Sequence, residues 1–227
     1  LKLTNQQIDT INEILVLNGL VYDDIKLELV DHIASEIELA MDDKEVLFEE
    51  ALKTAFSNWR GQLQPSTSIW LGSKNSAPRI VIDKWESIHR KENRSIFKYS
   101  FISFIVFFGI IKLSNDASLT ENLTGFLSLL YLSLWVSIVA LRGILGRNKN
   151  DTIFSSIFKK RSRMPLVGLI LIALSWIPNK TLGINSILEI SSLYCIFLLL
   201  SFTVSTLKLA YKHFQFEKKV SKALICN

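Results

Sequence analysis

The chain has 227 residues, 49% of them hydrophobic, and a formal net charge of +5. Residues 1–60 hold five basic and thirteen acidic residues, a net −8, whereas residues 61–227 carry a net +13. This split argues against a nucleic-acid binder: the excess Lys and Arg fall at the borders of apolar stretches, where anionic lipid is the obvious partner, and the front of the chain is acidic.

Thr4-Asn-Gln-Gln7 has the form of a capping box, a hydroxyl followed three residues later by an amide. It predicts a first helix carried by Ile8, Ile11, Ile14 and Leu15 and closed at Gly19 by a left-handed cap. A second helix is predicted from Asp23 or Asp24 to about Met41, with Ile25, Leu29, Ile33 and Ile37 as its apolar face. Asp42-Asp43-Lys44-Glu45 reads as a turn with a second capping-box spacing. A third helix, Val46 to Trp59, should bury Leu47/Phe48, Ala51/Leu52, Ala55/Phe56 and Trp59 and stop before Gly61. Residues 1–61 thus form an acidic cytosolic domain of three helices, near the lower size limit for a self-sufficient core. Residues 62–78 are a Ser/Gly/Pro/Asn-rich connector interrupted by Ile69-Trp70-Leu71, a triplet expected to pack back on the domain or the membrane surface. Residues 79–97 read as a basic helical stalk that continues unbroken into the first span.

Four stretches contain no Asp, Glu, Lys or Arg: Tyr99–Ile111, Leu123–Leu141, Met164–Ile177 and Ile190–Leu207. A spanning helix needs about 20 mostly apolar residues. The second and fourth fit directly, and the first does so if Lys98 and Lys112 snorkel to opposite headgroup layers. The third, bounded by Pro165 and Pro178, is short. The fold class is therefore all-α, with a four-helix membrane domain over residues 98–212 and a basic tail over 213–227. Basic residues crowd the loops before the first span, between the second and third, and after the fourth. The other two loops hold one Lys each. Lys and Arg near span ends face the cytoplasm, which predicts a multi-pass protein of the bacterial cytoplasmic (inner) membrane with both termini inside. The first sixty residues are a charged helical pattern rather than a cleavable signal, so the first span is expected to direct insertion. Cys195 and Cys226 do not read as a disulfide pair or a metal site.

Glu28, His32 and Glu36 stand four residues apart on one helix face, a spacing that can converge on a metal. With one His nearby, the reading preferred is structural: His32 and Asp31 at a helix contact, the glutamates on a solvated face. Thr152–Phe158, followed by Lys159, Lys160, Arg161 and Arg163, joins an aromatic face to a basic cluster that suits anionic headgroups. The spans lack ionisable groups, which disfavours an ion-coupled transporter, and their many Ser and Thr suit helix packing. Trp135 and Tyr194 lie too deep for an interface belt and are expected to pack within the bundle. No residue set points to catalysis, a cofactor or a metal.

The segment Asp24-Ile-Lys-Leu-Glu-Leu-Val-Asp-His-Ile-Ala-Ser-Glu-Ile-Glu38, followed by Phe48-Glu-Glu-Ala-Leu-Lys-Thr-Ala-Phe56, resembles the HAAS-like or permease-prefix-like helical module at the front of many bacterial membrane proteins. Glu28, Asp31, His32, Glu38, Glu49, Glu50 and Ala51 occupy the positions of that pattern, which covers about a quarter of the chain. The resemblance implies regulation or protein interaction rather than catalysis. No large permease domain follows. The function expected is a non-enzymatic interaction or regulatory subunit, engaging a protein partner through Glu28, Glu36, Glu49 and Glu50. A small transport or channel component is the alternative, and a membrane enzyme acting on lipid or peptide comes after it.

Overall fold

A computed structural model describes residues 2–68, 76–114, 116–146, 150–163 and 187–225. These residues are mostly helical. In chain order they form α1 (Asn5–Leu17), α2 (Asp23–Lys44), α3 (Phe48–Leu63), β1 (Pro65–Thr67), β2 (Ser76–Pro78), α4 (Arg79–Ser114), α5 (Ala117–Leu145), α6 (Ile153–Arg161) and α7 (Ile187–Ile225). The chain divides into two units, Leu1–His89 with Lys149–Ile153, and Arg90–Asn148 with Phe154–Asn227.

In the first unit α1 opens on the expected capping box, the Thr4 hydroxyl accepting from Gln7 N–H and the Gln7 side chain from Thr4 N–H. It closes on a Schellman pair: Gly19 N–H donates to Val16 O at 2.9 Å and Leu20 N–H to Leu15 O at 3.1 Å. Gly19 sits at φ +83, the left-handed conformation that costs glycine least. Ile25, Leu29, Ile33 and Ile37 line the buried face of α2, as their spacing predicts.

Three sequence expectations are corrected. No break falls at Asp42, because nothing in Asp42-Asp43-Lys44 opposes a helix; α2 runs on to Lys44 and ends where Glu45 adopts φ 52. Leu47 becomes the N-cap of α3 and is exposed rather than buried, and α3 passes through Gly61 to bury Leu63. The connector contains a two-stranded antiparallel pairing, Pro65 opposite Pro78 and Thr67 opposite Ser76. The Ile69-Trp70-Leu71 triplet lies outside the described residues. Helix α4 runs without interruption from Arg79 to Ser114, as expected. Its first turns carry Val81, Ile82 and Trp85, all buried, and belong to the first unit.

Three helices among the described residues are long and apolar enough to cross a membrane: α4, Ser118–Leu145 of α5 and Ile190–Ser221 of α7. Within the second unit Phe104 meets Tyr194 edge-on at 5.4 Å, and Phe107 meets Phe197 at 5.2 Å. Further toward the start of α4, Glu92 meets Ser205, so α4 and α7 run antiparallel. Tyr131, Ile138 and Leu145 are buried on α5. The opposite faces expose Phe101, Ile105, Val106, Phe126, Leu129 and Val136, side chains that lipid can cover at no hydrophobic cost. From Glu92 to Lys112, α4 rises roughly 30 Å at 1.5 Å per residue, the thickness of a hydrocarbon core. Met164–Ile177, the third apolar stretch, lies outside the described residues.

Candidate functional site

Two polar constellations stand out, one in each unit. In the first, the start of α2 holds a distant piece of chain. Asp23 N–H donates to Asp151 O at 2.8 Å. Asp151 N–H donates back to Asp23 Oδ2 at 3.1 Å, and Ile153 N–H donates to Asp24 Oδ1 at 3.1 Å. Thr152 and Ile153 are fully buried. Since Ile153 begins α6, Asp24 supplies that helix with an N-terminal carboxylate from another element, satisfying an otherwise orphan N–H and favouring the helix dipole. Burial pushes the Asp24 carboxyl above its usual range, while the Ile153 N–H and the nearby Lys84 charge pull it back.

The Glu28, His32 and Glu36 face does not converge on a point. Glu28 pairs with Lys84 of α4. His32 stacks on Trp59 with ring centroids 6.5 Å apart. Glu36 accepts from Asn58 Nδ2 at 2.6 Å and Trp59 Nε1 at 3.0 Å. Each residue ties α2 to a neighbour, so the two glutamates are engaged within the unit rather than solvated as expected. Among the described residues no three His, Cys, Asp or Glu lie close enough to hold a metal. Glu49 and Glu50 are exposed in the first turn of α3.

The second constellation centres on Glu92, whose side chain is 2% exposed. Ser205 Oγ donates to Glu92 Oε2 at 3.0 Å, and the ammonium groups of Lys212 and Lys208 lie 3.4 and 3.5 Å from Oε1. Arg161, buried at 4% exposure, donates to Ser205 Oγ at 3.2 Å and to Asn93 Oδ1 at 2.8 Å. Its guanidinium lies over Phe202 at 5.5 Å, and Lys212 lies over Phe154 at 5.2 Å. Burial lowers the Arg161 pKa and the Glu92 charge opposes that shift. Beside this cluster, Arg142 reaches Ser162 Oγ at 3.3 Å. Of the four basic residues predicted to meet headgroups, Arg161 thus points inward, Lys159 is half-buried, and Lys160 and Arg163 are exposed. The apolar side of α6 is also covered by protein, with Ile157 and Phe158 buried.

Sequence reasoning missed Glu92 and Lys212. The available signal was a single acid within the basic run Arg90, Lys91, Arg94 and Lys98. In the apolar segments most hydroxyls bond back to their own helix: Ser100 to Phe97 O, Ser128 to Thr124 O, Thr203 to Leu200 O and Thr206 to Phe202 O. Each of these hydroxyls is thereby satisfied on its own helix backbone, as suits Ser and Thr at helix contacts.

Comparison with family models, curated proteins and solved structures gives no match.

Proposed function

We propose that the protein is a non-enzymatic, multi-pass membrane protein that acts as an interaction or regulatory subunit through its acidic N-terminal module. The observation that carries this reading is the α2–α3 turn, where Leu39 and Leu47 are exposed among Asp42, Asp43, Glu45, Glu49 and Glu50. Exposed apolar side chains in a turn with five acids and one base, Lys44, suit a basic, amphipathic partner segment, with the charges steering encounter and the leucines supplying affinity. The resemblance of α2 and α3 to HAAS-like modules agrees with that role. The hydroxyls that bond within their own helices give a transport path no support.

The reading includes four spans, with Met164–Ile177 as the third in chain order. It is supported by α6 ending at the Glu92 end of the bundle while α7 begins at the other. Both termini then face the cytoplasm of a bacterial inner membrane, following the loop charges.

Reversing Glu49 and Glu50 to Lys should reduce recovery of a crosslinked partner from native membranes at least tenfold, with insertion and helicity unchanged. Undiminished recovery of every associated protein refutes recognition by this face. Orientation is read by cysteine labelling in a background lacking Cys195 and Cys226. An impermeant reagent outside intact cells should modify Ser118→Cys and spare Ser221→Cys; the reverse pattern refutes the topology.

A further inference from the structure

The boundary between the two units falls inside a helix. Ile153, the first residue of α6, belongs to the front unit, and Phe154 onward to the second. α6 has nine residues, roughly 13 Å of helix, and isolated helices shorter than about 12–15 residues are marginal in water. Its sequence adds little. Ile153, Phe154, Ser155, Ser156, Ile157 and Phe158 are β-branched, aromatic or hydroxylated residues of middling helix propensity. Its helicity therefore depends on other elements, with a polar hold at each end. At the start, Asp24 Oδ1 accepts from Ile153 N–H at 3.1 Å, and Ile153 is fully buried. At the close, Arg161 donates to Ser205 Oγ at 3.2 Å and to Asn93 Oδ1 at 2.8 Å. Ser162 N–H then donates to Phe158 O at 2.8 Å. Between the ends, Ile157 and Phe158 are buried.

We propose that α6 is a conditional helix that couples the Asp24 clasp of the front unit to the Glu92 cluster of the second. Helix formation is cooperative. Loss of the cap at Ile153 frays the first turn and lowers the population in which Arg161 is placed on Ser205 and Asn93. The dependence is reciprocal: a chain without the Arg161 anchor holds Ile153 at Asp24 less often. Coupling of this kind needs a two-state element whose equilibrium both sites bias, and a short helix held at its two ends opens locally in that way. A change in the front unit that moves the start of α2 thereby reaches the Glu92 cluster through the backbone of α6.

The test uses the full chain in detergent, in a background lacking Cys195 and Cys226. The two readouts are amide exchange over residues 153–161 and thiol labelling of Thr152→Cys, a position fully buried beside the clasp. Asp24→Ala should raise exchange by roughly 2- to 30-fold, the range for loss of a helix N-cap, and should do so in the last turn as well as the first. Arg161→Met should raise labelling of Thr152→Cys within the same range, although the two positions stand more than two helical turns apart. Ser156→Gly weakens the helix with both end residues in place and should raise both readouts by a smaller factor. It keeps the proposal testable if Arg161→Met folds poorly. Tyr131→Ala, at a buried position of α5 in the same unit as Arg161, should leave the labelling unchanged. Exchange confined to the first turn in Asp24→Ala overturns the coupling, as does unmoved labelling in a folded Arg161→Met or in Ser156→Gly. Equal labelling in Tyr131→Ala overturns α6 as its route.

Discussion

Replacing Glu92 with Gln should lower the apparent unfolding temperature of the detergent-solubilised protein by roughly 6–20 °C. Removing one member of a buried charge group costs about 3–5 kcal/mol, because the remaining charge stays desolvated without its counterpart. For a chain of this size each kcal/mol is worth roughly 2–4 °C. Glu92 accepts from Ser205 and Lys212, pairs with Lys208 at 3.5 Å and offsets the Arg161 charge, so its neutralisation is felt on α4, α6 and α7 together. The double variant Glu92→Gln/Arg161→Met should recover much of the loss, since it removes the buried cation along with its counter-charge and keeps an aliphatic stem over Phe202. A Glu92→Gln protein that melts within about 2 °C of the parent, less than one kcal/mol on the same scale, would show that the carboxylate contributes nothing net to the packing of these helices.

Trp85→Ala should destabilise the first unit by about 3–5 kcal/mol, the usual cost of deleting a large buried aromatic. Trp85 is buried on α4 and stacks on His89 at 5.2 Å, beside buried Val81 and Ile82. A bare stalk would tolerate the change within about 0.5 kcal/mol, as surface positions do. Proteolysis of residues 1–89 under native conditions distinguishes the two. The variant should be cleaved at least a hundredfold faster where cleavage follows the open population, and an unchanged cleavage rate would remove the start of α4 from this core.

How much of this was legible depended on the range of each interaction. The α1 caps and the Ile25, Leu29, Ile33, Ile37 face are encoded within a few residues, and the apolar lengths of α4, α5 and α7 need no partner to be read. The Asp42–Glu45 turn was misplaced because its capping-box spacing is equally compatible with the last turn of a helix. The Pro65–Pro78 pairing was hidden because strand partners are set by each other and not by local composition. The hold of Asp23 and Asp24 on Asp151 and Ile153 has no local signature at all. Glu92 escaped the sequence reading, since its burial depends on α6 and α7, which lie far along the chain.

The capture of Asp151–Ile153 by the start of α2 also fixes an order of events during synthesis. Asp24 and Ile153 are 129 residues apart. At ribosomal speeds of about 5–20 residues per second, roughly 6–26 s separate their emergence. Throughout that interval the front unit lacks the Ile153 side chain that its core encloses and the backbone groups that Asp23 and Asp24 bind. α1, α2 and α3 can assemble early through local contacts, but their unit closes only after the α4 and α5 segments have left the ribosome. The completed module is thus a record that the intervening chain has been made.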